Sequence, residues 1–136
     1  RRARAAGQSI VPTTTGAAKA LTKIFPDLSD VIGGCGIRVP VPNGSLTDMT
    51  LNVKHKTSIE EVNELFKAAS KNSYQGILEY TEDPIVSIDI KGNSHSCVFD
   101  AQMTSVIGGH LVKLIGWYDN ERGYSSRIID LILKMN

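Results

Sequence analysis

The sequence predicts an α+β domain, with helices packed on one face of an antiparallel or mixed sheet. Three observations carry that reading. A capped, amphipathic helix stands in mid-chain at "TSIEEVNELFKAAS". Two strands meet through Gly108–Gly109, a hairpin signal that requires antiparallel pairing. The regular strand–helix–strand alternation of a doubly wound parallel sheet is absent.

The elements follow in order. Residues from Thr15 to about Phe25 read as a helix that ends at Pro26 and "DLSD". "GGCGIRVPVP" is glycine-rich and then extended, and its glycines do not fit the dinucleotide-binding fingerprint, because position 39 is Val and no helix pattern follows. In "SLTDMTLNVK", Thr47, Met49, Leu51 and Val53 share one face and Asp48, Asn52 and Lys54 the other, as in a half-buried strand. In the mid-chain helix Ser58 and Glu61 form a capping box, and Ile59, Val62, Leu65, Phe66 and Ala69 line one face. "IVSIDIKG" alternates Val86, Ile88 and Ile90 against Ser87, Asp89 and Lys91, and reads as extended. The stretch from His110 to Tyr118 is apolar on both faces except at Lys113, so it is expected in the centre of the sheet. A closing helix begins near Ser125, and its apolar residues Ile128, Ile129, Leu131, Ile132, Leu133 and Met135 span an arc of roughly 200°, wider than one sheet face requires.

At 136 residues the chain is long enough for one domain with a core, expected over residues 1–136, and 41% apolar content is globular rather than disordered. A net charge of +1 argues against a nucleic-acid surface that works by bulk charge. No apolar run reaches membrane-spanning length, and "RRARAAGQS" is basic without the apolar core of a signal peptide. Cys35 and Cys97 are too few and too far apart for a zinc motif or a disulfide framework. Both are expected to be buried spectators in a reducing compartment, so the reading is cytoplasmic, with no metal, membrane or nucleic acid as partner.

Four features could carry chemistry. In "PTTTGAAKAL", Thr15 and Gly16 open a helix; the residues alone leave open whether Thr15 only caps it or whether hydroxyls and free N–H groups also cradle an anion. Arg38 lies in the extended "IRVP", where burial would demand a carboxylate or an anionic ligand. Arg1, Arg2 and Arg4 form a basic cluster whose plain reading is a solvated segment. "WYDNERGYS" packs Asp119, Asn120 and Tyr124 at a strand-to-helix corner, which suits a ligand contact or an ordinary turn equally. His55, His95 and His110 are scattered and have no local partner pattern.

Taken together, "RRARAA", "IVPTTTGAAKAL", "IRVPVPNGSLTDMT", "GILEYTEDPIVSIDI" and "WYDNERGYSSRIIDL" resemble the C-terminal part of bacterial-type glyceraldehyde-3-phosphate dehydrogenase, in one register over the whole chain. The resemblance implies an incomplete form of that catalytic-domain fold. It also implies a role in glycolytic oxidation of glyceraldehyde 3-phosphate with NAD and inorganic phosphate. In that chemistry a cysteine attacks the aldehyde, hydride leaves to the nicotinamide, and phosphate cleaves the thioester. By resemblance, Thr15 and Gly16 hold the attacking phosphate and Arg38 is shared between the phosphate positions. Arg2 binds the substrate's own phosphate, Asn120 holds the nicotinamide carboxamide, Tyr124 lies beside the nicotinamide, and Arg4 is tied to subunit contacts.

The family's nucleophile motif, Ser-Cys-Thr-Thr-Asn, matches neither "GGCGI" nor "HSCVF". The resemblance therefore implies that the nucleophile, its histidine base and the nucleotide-binding domain all lie upstream of Arg1. No catalytic residue is expected within the chain, and NAD belongs to the intact family enzyme rather than to this chain alone. Homo-oligomerisation, or association with the missing N-terminal part, is expected. The alternative is a truncated or interrupted product without activity, acting at most as an anion-binding or association module. Two departures from the family pattern stand out: Arg122 where an uncharged residue is usual, and Gly44 where valine is usual, which is expected to loosen a strand.

Overall fold

The computed structural model describes residue 1 and residues 4–135, and Arg2 lies outside the described residues. The chain divides into two compact units, Arg1–Pro42 and Asn43–Asn136.

The first unit is built on a short ribbon. β1 (Val11–Thr13) pairs antiparallel with β2 (Gly36–Arg38), setting Val11 opposite Arg38 and Thr13 opposite Gly36. Pro12 inside β1 has no N–H to give, which keeps the ribbon short and at an edge. Between the strands lies α1 (Ala17–Ile24), followed by a 3-10 turn at Pro26–Leu28. The helix starts slightly later than the sequence reading placed it. Gly16 occupies the capping position, while the Thr15 hydroxyl accepts the Ala17 N–H at 3.2 Å. Phe25 leaves helical geometry, and Pro26 cannot continue the i to i−4 ladder.

The second unit is a mixed sheet with α2 (Ile59–Lys71) and α3 (Arg122–Lys134). Its strands are β3 (Ser45–Asn52), β4 (Leu78–Thr81), β5 (Cys97–Asp100), β6 (Ser105–Ile107) and β7 (Leu111–Tyr118). The order is β3-β7-β5-β4, with β6 also paired to β7; β4 and β5 run parallel and the other pairs antiparallel. The architecture is therefore α+β, as expected. β7 is central, and the β6–β7 hairpin turns through Gly108 and Gly109 at φ 61° and 78°, a conformation that glycine adopts without steric cost.

The core lies between α2 and the sheet. Val62 of α2 packs with Phe99, Ala101, Val112 and Leu114, and Phe66 stacks flat on Phe99 with ring centroids 4.1 Å apart. Burying Phe99 contributes about 1.5–3 kcal/mol. The capping box forms in full: Ser58 Oγ accepts the Glu61 N–H at 3.2 Å, and Glu61 Oε2 accepts the Ser58 N–H at 3.0 Å. Ile59 and Leu65 turn outward instead of joining that face.

Further expectations are corrected. Residues 86–91 are not extended: Ser87–Ile90 form a 3-10 turn, because the Asp89 carboxylate takes the Val86 N–H at 2.8 Å and only Ile90 is buried. β3 forms as a strand but is not half-buried: it is exposed from Leu46 to Asn52 on both faces, and it pairs on one side only, at the sheet edge. α3 starts at Arg122 rather than near Ser125. Cys35 is exposed, and only Cys97 is partly buried, which pushes its thiol pKa up.

Gly44 does not loosen β3. It precedes the strand at φ 91°, and a Cβ there would fall 2.7 Å from the Ser87 carbonyl oxygen. The glycine is what lets these backbones approach.

Candidate functional site

In the first unit, an open concavity of about 360 Å³ is lined by Arg4, Ala6, Val11, Thr13, Thr14 and Arg38. Its geometry follows from the ribbon. The Val11–Arg38 pairing sets the arginine across from the strand that leads into the threonine run. Gly36 then makes room for that run: a Cβ at this position would lie 3.0 Å from Thr13 Oγ1 and 3.8 Å from Thr15 Cβ. Thr13 and Thr14 face the concavity, while Thr15 and Gly16 stand at the head of α1. The first helical bond runs from the Ala20 N–H to the Gly16 carbonyl at 2.8 Å. The N–H groups of the first turn have no intrahelical acceptor and carry the positive end of the helix dipole.

Arg38 is exposed, so burial does not force a partner on it as the sequence reading supposed. The case for an anion rests instead on grouping. Two guanidinium side chains and two hydroxyls border one concavity, and no carboxylate does.

In the second unit, Asn120 and Tyr124 flank the entry to α3. Both are exposed, Tyr124 by 70%. What fixes this corner is Asp119, a residue the sequence reading noted without giving it a role. Its Oδ1 accepts the N–H groups of Glu121 and Arg122 at 3.0 and 2.9 Å. Its Oδ2 accepts the Gly92 N–H at 2.8 Å and the Asn43 side-chain amide at 3.1 Å. Its backbone carbonyl accepts the Gly123 N–H. Asp119 thus holds the turn that leads into α3, taking the N–H groups of Glu121, at the capping position, and of Arg122, the first helical residue. With these donors the carboxylate is held at a pKa of about 2. Asn120 Oδ1 lies 3.4 Å from the Ser45 hydroxyl that donates to it, which leaves the amide NH₂ able to donate outward. Because Asp119 precedes Asn120 and shares a helix entry with it, a cap pattern read from Asp119 would have located this corner.

Two of the three histidines, His95 and His110, have structural partners. His95 Nδ1 lies 2.9 Å from Asn93 Oδ1 and 3.1 Å from Glu79 Oε2, and His110 Nδ1 lies 2.9 Å from the Val53 carbonyl. No cluster of metal-binding side chains occurs among the described residues, and no helix among them is long and apolar enough to cross a membrane.

A family model described as "Glyceraldehyde 3-phosphate dehydrogenase, C-terminal domain" matches residues 1–120. The chain is 54% identical over 133 residues to glyceraldehyde-3-phosphate dehydrogenase 1 of Streptomyces avermitilis, covering 98% of this chain and 40% of that protein. It is 52% identical over 132 residues to glyceraldehyde-3-phosphate dehydrogenase 2 of Bacillus subtilis, covering 97% and 39%. It is 51% identical over 137 residues to the glyceraldehyde-3-phosphate dehydrogenase of Borreliella burgdorferi, covering 99% and 41%. The chain thus spans about 40% of the length of these curated relatives.

Proposed function

Since the chain belongs to the glyceraldehyde 3-phosphate dehydrogenase C-terminal-domain family, we propose that it supplies the phosphate- and substrate-binding portion of an NAD-dependent phosphorylating glyceraldehyde-3-phosphate dehydrogenase. Both compact units are, on this reading, parts of one catalytic domain, and the reaction is the phosphate-dependent oxidation step of glycolysis. The observation that carries the reading is the concavity bordered by Arg38 and the threonine run at the head of α1.

Thr15 and Gly16 orient the attacking phosphate through a hydroxyl and the N–H groups of the first helical turn. Arg38 supplies counter-charge between the phosphate positions. Arg2, outside the described residues, binds the substrate's own phosphate. A charge-assisted hydrogen bond from arginine is worth roughly 1.5–3 kcal/mol, and the helix dipole about 0.3–1 kcal/mol. The arginines therefore set affinity and the threonine sets position.

NAD, when bound in the intact enzyme, supplies the hydride acceptor. The residues at the α3 corner suit its nicotinamide end: Asn120 offers an amide donor steadied by Ser45, and Tyr124 offers an exposed aromatic face. Their task is to hold and orient a carboxamide. The corner itself is fixed by Asp119.

The nucleophile is not among the residues this reading uses. Cys97 has a thiol pKa raised by burial, and no histidine hydrogen bond to either cysteine occurs among the described residues. By itself the chain is expected to show no turnover with NAD, phosphate and glyceraldehyde 3-phosphate. Turnover that persists in the Cys35→Ser, Cys97→Ser double variant would contradict this. The exposed apolar residues of α3, from Ile128 at 42% to Leu133 at 69%, support a working form in which this portion packs against further protein, as a homo-oligomer or with an N-terminal part.

Phosphate titration followed by backbone amide shifts tests the site. Saturable shifts at Thr14, Gly16 and Ala17 are expected. Still amides there, with shifts scattered over surface lysines, would remove the phosphate role.

A further inference from the structure

The family resemblance ties Arg4 to subunit contacts, but the geometry points to a second role. We propose that Arg4 and Arg38 act as a two-guanidinium clamp on a phosphate dianion, so that Arg4 is a ligand-binding residue of the same concavity. This rests on the reading of that concavity as a phosphate site.

Arg4 and Arg38 border one concavity, with Thr13 and Thr14 beside them. None of its lining residues is acidic. Neither arginine takes part in an ion pair among the described residues. The unit's carboxylates are Asp27, on the turn after α1, and Asp30 just beyond it, and neither borders the concavity. Two like charges thus share a concave surface without an internal counter-ion. Such a surface focuses positive potential and draws an anion from solvent.

The donors select the anion's chemistry. Each guanidinium presents five N–H donors in a planar fork, and the Thr14 hydroxyl adds one more, while the Thr13 hydroxyl is turned to the Gly36 carbonyl at 3.5 Å. A single carboxylate brings two oxygens and one charge to two forks, whereas a phosphate dianion has three or four oxygens and two charges to meet them. At about 360 Å³, the concavity lies at the lower end of small-ligand sites, which run from roughly 300 to 1,000 Å³. That size suits inorganic phosphate or a small phosphate ester.

The test uses the whole chain with inorganic phosphate at fixed ionic strength, and reads the affinity from the Thr14 and Gly16 amide shifts. Arg4→Gln is expected to weaken binding about five- to tenfold, and Arg4→Lys to recover part of that loss. Lys23→Gln, in the last turn of α1 and away from the concavity, is expected to change the affinity less than about twofold. A parallel titration with glycerol 3-phosphate distinguishes the source of the phosphate group: a larger loss for the ester assigns Arg4 to a substrate phosphate, and an equal loss assigns it to free phosphate. Binding unchanged in Arg4→Gln, while the parent chain still shows saturable Gly16 and Ala17 shifts, overturns the clamp and leaves the phosphate site standing. Equal losses in Arg4→Gln and Lys23→Gln also overturn it, because they report net charge alone. Absence of saturable shifts in the parent chain overturns both the clamp and the site it rests on.

Discussion

Residues 1–42 carry six Lys and Arg against two Asp and Glu, whereas residues 43–136 carry nine against twelve. The first unit is thus net +4 and the second net −3, a contrast hidden in the chain's overall +1. Burial divides the same way. Among the described residues, Val11 is the buried apolar residue of the first unit, while the second holds Val62, Ile90, Val98, Phe99, Ala101, Val112, Leu114 and Ile115. The second unit therefore has the means to be stable, and the first has the charge to bind an anion. A three-residue ribbon with one buried valine supplies little hydrophobic stabilisation, and crowding cations there lowers stability further. Phosphate stabilises whichever unit binds it, through mass action.

The largest expected effect falls on the second unit. Phe99→Ala removes a ring that is 2% exposed and stacked on Phe66 and Tyr80. A loss of about 3–5 kcal/mol is expected in denaturant unfolding. A loss below about 1 kcal/mol would show that the core is not concentrated at this ring.

Asp119→Asn comes next. An amide cannot accept all the bonds the carboxylate accepts, so the α3 entry should loosen at a cost of about 2 kcal/mol. The folded pKa is depressed, from 3.8 to about 2. This contribution is therefore complete above the unfolded value near pH 4 and is lost as pH falls through about 2. The variant should show a flatter acid transition in that window when followed by circular dichroism, and an unaltered transition would detach Asp119 from α3.

Gly44→Val introduces the residue that the family resemblance leads one to expect, yet here it is expected to destabilise by about 2 kcal/mol, because φ is positive and the new Cβ meets the Ser87 carbonyl. A stabilised variant in thermal unfolding would mean that this backbone readily takes another path.

Arg38→Gln is the smallest in stability, below about 0.5 kcal/mol, since the side chain is exposed. Its effect should appear in phosphate affinity, which is expected to fall about tenfold by titration. A large stability loss with unchanged affinity would reverse the roles assigned to the two units.

What the sequence made legible was local and repetitive. The capping box at Ser58 and Glu61, the Gly108–Gly109 hairpin and the central strand expected from His110 to Tyr118 each follow from signals within a few residues, and each is present, the strand beginning at Leu111. The extended character around Arg38 was readable, but the pairing of β1 with β2 was not, because three-residue strands, one containing proline, are too short to show alternation. The 86–91 stretch misled because its apolar alternation was real, while one carboxylate bond to the Val86 N–H decided the backbone. Cys35 was expected to be buried on its residue type, yet the glycine-rich segment around it offers no core to enter. At the site, residue types and their order were readable. The clustering of Arg4 with Arg38 was not, because it depends on pairing across more than twenty residues of intervening chain.

Residue-resolved hydrogen exchange, run with and without phosphate, tests the division between the units most directly. The account expects slow exchange in β5 and β7 of the second unit, faster exchange in β1, β2 and α1, and phosphate-induced slowing confined to residues 1–42. Equal protection in the two units without phosphate, or phosphate-induced slowing centred on residues 43–136, would contradict it.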